Sequence, residues 1–346
     1  PLRREEWCSM TLGELISLQR GYDLPDHQRR PGDVPVIGAG GVNGSHDTAN
    51  VIGPGVVLGR SGAGFGTAHY CEADFWAHNT GLYVKDFRGN DRRFAYYLLD
   101  YLDFTPYNSG GAQPSLNRNF IYPIEINVPP LHEQRQIGAT IATWDEAMKK
   151  CQFGLKARKK RKVGLAQHLL LRKSCLRGCK TEWNEVCLRD VTKELNTRNN
   201  GLFDFQAVMA VNKFQGLIPM REHIMASSLE RYKVVPPKAF AYNPMRINIG
   251  SLAMSHHCSD VLVSPDYVVF KCLEDRCDPN YLDHYRRTHA WEHYVTAAGN
   301  GSVRVRIYYS ELAQMKLRLP PIEEQKAISR VLNDADREIE LTAQML

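Results

Sequence analysis

A glycine-rich stretch, Gly62-Ala63-Gly64-Phe65-Gly66, is the first place in the sequence where phosphate chemistry could be expected. A nucleotide-binding fingerprint needs a strand before such glycines and a helix after them. Residues 67–71 instead have the pattern of a strand, and no Gly-Lys-Ser or Gly-Lys-Thr follows. We therefore interpret the stretch as a tight turn that could approach a DNA backbone closely.

Two groups of histidine and cysteine residues could bind a metal ion: His256-His257-Cys258, and the set Cys175, Cys179 and Cys187. Structural zinc sites usually combine two closely spaced pairs of ligands. Only Cys175 and Cys179 have such a spacing, and no second pair accompanies them. We predict no metal site. The odd count of nine cysteines, without regular spacing, fits reduced thiols in a cytoplasm.

The motifs of DNA enzymes are incomplete. A restriction-type nuclease would combine Pro-Asp with an acidic-x-Lys sequence, and Pro265-Asp266 and Glu324-Gln325-Lys326 resemble these parts. The second part lies in a helix opening that recurs as Glu133-Gln134-Arg135, so the repeat explains it. A DNA methyltransferase would need an Asn/Asp-Pro-Pro-Tyr/Phe box, which neither 235–238 nor 243–245 provides. No Ser/His/Asp arrangement stands out, and we predict a non-catalytic chain.

Polar loops are the more informative sites. Loops 110–119 and 299–306 occupy matching places in two halves of the chain, as do Arg60 and Arg246, each flanked by Gly or Asn. Such side chains can reach phosphates and base edges, although each could also be solvated in a turn. The predicted DNA-binding residues are Arg60, Ser61, Gln113, Ser115, Asn117, Arg118, Arg246, Asn248, Ser302, Arg304 and Arg306. The basic run 156–162 is a solvated helix face, a band near DNA phosphates or a docking face.

Two helices position these loops. The sequence Pro-Pro-x-x-Glu-Gln-x-x-Ile opens both 129–137 and 320–328, and each opening leads into a heptad pattern. The first helix would span roughly 40 residues, or about 60 Å, ending at Gly178. The same heptad pattern of apolar residues in two helices of one chain predicts that the two helices pair with each other, antiparallel, within the molecule. The predicted coiled-coil and partner residues are Ile137, Ile141, Trp144, Met148, Leu155, Ile328, Leu332 and Ile339.

The duplication extends to the regions before the helices. Trp7 and Trp183 begin similar stretches, and short strands are predicted at 34–37, 56–58, 81–84, 239–242 and 267–272, with a further strand at 120–128. Helices are predicted near 92–102 and 281–288. The predicted organisation is 1–128 as a first domain, 129–178 as a helix, 179–319 as a second domain and 320–346 as a second helix. The fold class is mixed α/β (α+β) with a pseudo-two-fold internal repeat.

Composition sets only broad limits. A hydrophobic share of 43% and a charged share of 24% are those of a globular protein, and the length suggests two domains. The net charge of +6 is compatible with nucleic-acid binding. No apolar run reaches the roughly 18 residues of a membrane helix, and the first residues lack the apolar core of a signal peptide.

These features resemble the specificity subunit of type I restriction–modification enzymes. The residues that carry the resemblance are the two helix openings, the Trp7 and Trp183 starts, and the segments 240–246, 264–270 and 301–304. The resemblance implies two target-recognition domains that each read one half of a split DNA sequence. It also implies two antiparallel helices that act as a spacer and as docking sites for two methyltransferase subunits.

In such a complex the methyltransferase subunits carry S-adenosylmethionine, restriction/translocase subunits join the assembly, and this chain holds no cofactor. The resemblance also implies a prokaryotic cytoplasmic protein that binds double-stranded DNA and no membrane. The second helix stops at the counterpart of Leu155, so we expect a shortened coiled coil. Two alternatives remain open: a self-contained methyltransferase or nuclease, and a coiled-coil adaptor without a nucleic-acid role.

Overall fold

The computed structural model describes residues 7–174, 176, 182–213, 215–220, 228–297 and 306–346. The chain forms two compact units, Pro1–Lys150 and Cys151–Leu346, and the division falls inside the longest helix. Each unit has its own hydrophobic core. Within the described ranges, no helix combines the length and the apolar character that crossing a membrane requires.

The first unit is built mainly of short strands. They are β1 (Cys8–Thr11), β2 (Ser17–Arg20), β3 (Val34–Gly38), β4 (Gly41–His46), β5 (Gly55–Gly59), β6 (Ala68–Cys71), β7 (Trp76–Ala77), β8 (Gly81–Asp86) and β9 (Glu125–Val128). Its helices are α1 (Leu12–Leu15), α2 (Arg92–Tyr101), α3 (Arg118–Ile121) and the beginning of α4 (Leu131–Leu170). The sheets have the strand orders β2-β8-β5-β6, β4-β3-β7 and β1-β9.

Strand β5 is apolar throughout because both of its faces are covered. Val56 and Leu58 pack into the core beneath α2, whereas Val57 on the opposite face packs with Ile37 and Phe75. Alternate side chains of a strand point to opposite faces, so a continuous apolar run is expected for a strand buried on both sides.

The second unit repeats this plan. Its strands are β10 (Asn184–Cys187), β11 (Thr192–Leu195), β12 (Met209–Asn212), β13 (Gly216–Pro219), β14 (Lys233–Val235), β15 (Phe240–Tyr242), β16 (Leu252–Met254), β17 (Val261–Val263), β18 (Val268–Cys272) and β19 (Lys316–Leu319). Its helices are the end of α4, α5 (Leu188–Val191), α6 (Pro279–Tyr285), α7 (His289–Ala297), α8 (Tyr309–Leu312) and α9 (Ile322–Gln344). The sheet β11-β18-β15-β16 matches β2-β8-β5-β6, and β10-β19 matches β1-β9.

The predicted strands at 34–37, 56–58, 81–84, 239–242 and 267–272 are confirmed, as are the helices at 92–102 and 281–288. The strand predicted over 120–128 is too long. Its first residues belong to α3, because the Asn117 side chain accepts the Asn119 N–H at the helix start, at 3.0 Å. Helix α4 ends at Leu170, and the predicted end at Gly178 lies outside the described residues.

The glutamine of each repeated helix opening makes the same buried contacts, which explains why the sequence recurs. Gln134 Oε1 accepts the N–H of Asp91, the residue that caps α2, at 2.9 Å, and Gln134 Nε2 donates to the Pro129 carbonyl at 2.9 Å. In the second unit, Gln325 Oε1 accepts the N–H of Asp278, which caps α6, at 3.0 Å. Its Nε2 donates to the carbonyl of Pro320 at 2.9 Å. Each glutamine thus fixes the beginning of a long helix to the domain that precedes it in the chain.

Within the second unit, helix α9 packs against the later part of α4. The predicted pairing of segment 137–155 with α9 stays a prediction. Lys162 pairs with Asp336, and Arg161 pairs with Glu338 at 3.5 Å, which gives an antiparallel arrangement. The apolar contacts continue where α4 residues 165–170 share a core with the first turns of α9. A heptad pattern repeats every seven residues and therefore fits several registers equally well, so complementary charges and core packing decide the register.

Candidate nucleic-acid interface

Most of the predicted DNA-binding residues of the first domain lie near one end of its main sheet. Arg60 follows β5 directly, and its backbone carbonyl accepts the Leu116 N–H at 2.7 Å. Ser61 and Ser115 form an isolated backbone bridge. Loop 108–117 is therefore held against the loop that follows β5, which brings Arg60, Ser61 and Ser115 together.

Local side-chain hydrogen bonds give loop 108–117 its shape. Asn108 Oδ1 accepts the N–H groups of Gly110 and Ser115, each at 3.0 Å. The adjacent glycine turn has a structural reason as well. Gly62 has φ +76°, and a Cβ atom at Gly64 would lie 1.9 Å from the Ala39 carbonyl oxygen. The glycines thus allow close backbone packing, in agreement with the predicted tight turn.

A cleft of about 800 Å³ is lined by residues 19–23, by Arg60 and by residues of the 109–119 segment. Three arginines, Arg20, Arg60 and Arg118, reach it, together with Ser115, Asn117 and other polar residues: Gln19, Asn79, Ser109 and Asn119. Within this lining, which the structure describes completely, Asp23 is the single carboxylate, and it accepts a hydrogen bond from Asn79 Nδ2 at 2.7 Å. The cleft is therefore basic and rich in amide and hydroxyl groups, as a surface that meets phosphates and base edges requires.

The arginines of the cleft differ in how they are held. Arg118 Nη1 donates to the Leu18 carbonyl at 2.8 Å, so this side chain is anchored to the end of the sheet. The Nε of Arg60 is buried and has no hydrogen-bond partner among the described residues. Burial, followed by the neighbouring charge of Arg20, lowers the pKa of the Arg60 guanidinium. The Arg60 guanidinium therefore holds a buried donor whose hydrogen-bonding capacity is unmet among the described residues.

The second domain presents its predicted residues on a corresponding loop. Arg246 and Asn248 are exposed, and the Arg246 carbonyl accepts the N–H groups of Ile249 and Ser251 at 3.2 and 3.0 Å. The Ile307 N–H donates to the Pro244 carbonyl at 3.1 Å, so the segment before α8 lies beside this loop. Arg306 is exposed and donates to the hydroxyl of Tyr308 at 3.4 Å. Ser302 and Arg304 lie outside the described residues.

The predicted DNA-binding residues and the residues that line the cleft do not coincide completely. Gln113 is exposed at the tip of its loop and does not line the cleft. The sequence analysis missed Arg20, Asn79 and Asn119, which do line it. The signal for Arg20 is its place at the end of a strand, directly before Gly21. Asn79 had no signal, because only the sheet brings the β7–β8 turn next to β2 and β5.

The predicted seam residues of α4 have different environments. Ile137 packs against the core of the first domain, and Ile141 and Leu155 are half-buried. Trp144 and Met148 are 70% and 39% exposed. On α9, Ile328 and Leu332 are buried in the second core, and Ile339 is half-buried. The tryptophan and the methionine are therefore exposed apolar side chains one helical turn apart on α4.

The basic run 156–162 combines two environments. Arg161 and Lys162 pair with α9, as described above, whereas residues 156–160 are exposed. In the described ranges, no three His, Cys, Asp or Glu side chains lie close enough to hold a metal ion. Of the cysteines considered as ligands, Cys187 and Cys258 have free thiols, and Cys175 and Cys179 lie outside those ranges.

Comparison with known proteins identifies the family. The model described as Type I restriction modification DNA specificity domain matches residues 4–153 and 233–346. The specificity subunit of the Escherichia coli type I restriction enzyme EcoprrI is 25% identical over 140 residues, which span 39% of this chain and 35% of that relative's length. The S subunit of the type I restriction–modification system of M. genitalium has the same fold, with a TM-score of 0.67 at 13% identity over 100% of this chain and 93% of that chain. The chain belongs to the type I restriction–modification DNA specificity family.

Proposed function

We propose that this chain is the sequence-specific DNA-recognition subunit of a type I restriction–modification complex. The observation that carries the proposal is the family match, which covers parts of both halves of the chain. The basic cleft lined by Arg20, Arg60 and Arg118 supports it from the structure. The chain itself is non-catalytic in this proposal and directs the chemistry of other subunits to a chosen sequence.

Each domain reads one half of a bipartite target in double-stranded DNA. The two domains share a four-stranded sheet of the same order, which supports a common way of presenting loops. Their loops differ: the first domain has a three-arginine cleft, and the second has the exposed Arg246 loop. A shared frame with different loops is suited to two independent half-site specificities.

The helices serve as a spacer and as docking sites for two methyltransferase subunits. The exposed side chains of Trp144 and Met148 on α4 support this role, because aromatic and methionine side chains are enriched at protein interfaces. S-adenosylmethionine would be bound by those partner subunits and not by this chain. Restriction/translocase subunits would join through the assembled complex, in the cytoplasm of a prokaryote.

The test is a binding and methylation assay with purified components. The chain together with its methyltransferase subunits should bind a cognate duplex selectively, and the affinity should fall as salt rises, because phosphate contacts release counterions. The chain alone, given labelled S-adenosylmethionine and DNA, should transfer no methyl group. Methyl transfer by the isolated chain would support the self-contained enzyme, and an assembled complex without any affinity for DNA would support the coiled-coil adaptor.

A further inference from the structure

The side chains of Arg20 and Arg60 project from the same end and the same face of the main sheet of the first domain. Strands β2 and β5 both pair with β8, and Arg20 and Leu58 both lie opposite Leu82. Arg60 lies two residues beyond Leu58, and side chains two residues apart share a face. The backbones of β2 and β5 are separated by β8, which is a distance of about 10 Å for two strand spacings. Both guanidinium groups therefore reach into the same cleft from its two sides.

Neither guanidinium group has a partner in the part of the chain that the structure describes. The Nε of Arg60 is buried and unsatisfied, and the side chain of Arg20 is exposed without a hydrogen bond or an ion pair. Arg118, by contrast, is occupied by the Leu18 carbonyl, and Asp23 is engaged by Asn79. A buried donor without an acceptor is costly, and two neighbouring cations repel each other. An acceptor group placed between them would relieve both effects.

We propose that Arg20 and Arg60 form a two-guanidinium receptor for one pair of adjacent hydrogen-bond acceptors on DNA. Arg60 is the half-buried anchor, and the exposed Arg20 closes the open side of the site. The inference rests on the DNA recognition proposed above and adds a specificity residue, Arg20. Two groups of DNA offer paired acceptors to guanidinium: the O6 and N7 atoms of guanine and the oxygens of a phosphate.

The experiment uses the full chain assembled with its methyltransferase subunits and a pool of duplexes randomised in both half-sites. Wild type, Arg20→Ala, Arg60→Ala and Arg20→Lys are compared by sequencing the bound fraction and by measuring affinities at several salt concentrations. Lys85→Ala is the matched control, since Lys85 is exposed near the opposite end of β8 and also carries one positive charge. This control should bind like wild type.

A receptor for guanine predicts that both alanine variants lose roughly 5- to 150-fold in discrimination at the same position of the first half-site. The second half-site should be unchanged. A receptor for phosphate predicts an equal loss of affinity for every sequence and a decrease of about 1 in the slope of log K against log salt. Arg20→Lys should also lose binding in either case, because an ammonium group lacks the planar fork of donors.

The proposal is refuted if Arg20→Ala selects and binds DNA like wild type. Since Arg20 is exposed at a strand end, this variant keeps the fold and remains informative even if Arg60→Ala does not fold. Wild-type behaviour of Arg20→Lys would refute paired donation and reduce Arg20 to a simple charge. A wild-type complex that selects no sequence would overturn the proposed function as well. A selective wild type whose alanine variants match it in both selectivity and affinity would overturn this inference alone.

Discussion

Replacing Gln134 by leucine should loosen the first domain from the beginning of α4. Gln134 is 3% exposed and makes three hydrogen bonds of 2.9 Å: it accepts from the Asp91 N–H and donates to Asn90 Oδ1 and to the Pro129 carbonyl. Leucine has a similar volume but no polar atoms, so all three groups lose their partner. The change therefore removes the polar contacts while keeping most of the packing.

The magnitude follows from the burial of the groups left behind. A lost hydrogen bond contributes about 1 kcal/mol, and a buried group without a partner costs about 1–3 kcal/mol. Pro129 is buried, whereas Asn90 and Asp91 are half-buried and can recover some hydration. We expect the free energy of unfolding of the first unit to fall by about 2–4 kcal/mol in total. For a unit of this size that corresponds to a decrease in Tm of roughly 5–15 °C.

The assay combines thermal unfolding of the full chain with hydrogen exchange of the Asp91 amide. The Asp91 amide should exchange faster in Gln134→Leu, because its acceptor is gone. Gln136→Leu is the matched control, since Gln136 lies two residues further along α4 and is exposed. An unchanged Tm and unchanged Asp91 exchange in Gln134→Leu would show that the glutamine contacts do not hold the helix to the domain.

Three further predictions concern DNA and the helices. Arg246→Ala should lower DNA affinity at least tenfold at moderate salt; an unchanged Kd in a titration would remove Arg246 from the interface. Lys162→Glu should destabilise the α4–α9 pair by about 1 kcal/mol, and Asp336→Lys should restore it, as a double-mutant cycle by denaturant unfolding can measure. Inserting four residues after Gly154 adds about 6 Å of helix. The gap between the two halves of the recognised sequence should then lengthen by one or two base pairs, as methylome sequencing can measure. An active mutant with an unchanged gap would show that α4 does not set the spacing.

The repeated frame was predictable because it depends on local signals. The strand at 56–58 is an apolar run between turns, and α2 begins at Asp91, a good capping residue. The two Pro-Pro openings marked both long helices within two residues of their observed starts. Such features depend on a few neighbouring residues and can be recognised without knowledge of the tertiary structure.

The cleft and the helix register were only partly predictable, since both depend on contacts between distant segments. Arg60 and Ser115 could be proposed from polar loops at matching places in the two halves of the sequence. Arg20 reaches the same cleft only through the order of strands in the sheet. The register of α9 depends on which basic residues of α4 meet Asp336 and Glu338, and a heptad pattern does not contain that information. Trp144 was predicted in the seam, although it is exposed.

The proposed function requires that this chain give a methyltransferase its sequence specificity through two independent domains. Its most direct test is to replace residues 1–128 with the first domain of another family member and to map methylated bases in cells that express the complex. The account predicts that one half of the methylated sequence changes while the other half and the gap stay the same. A change in both halves of the methylated sequence, or a methylated sequence that the replacement leaves unchanged, would contradict this account.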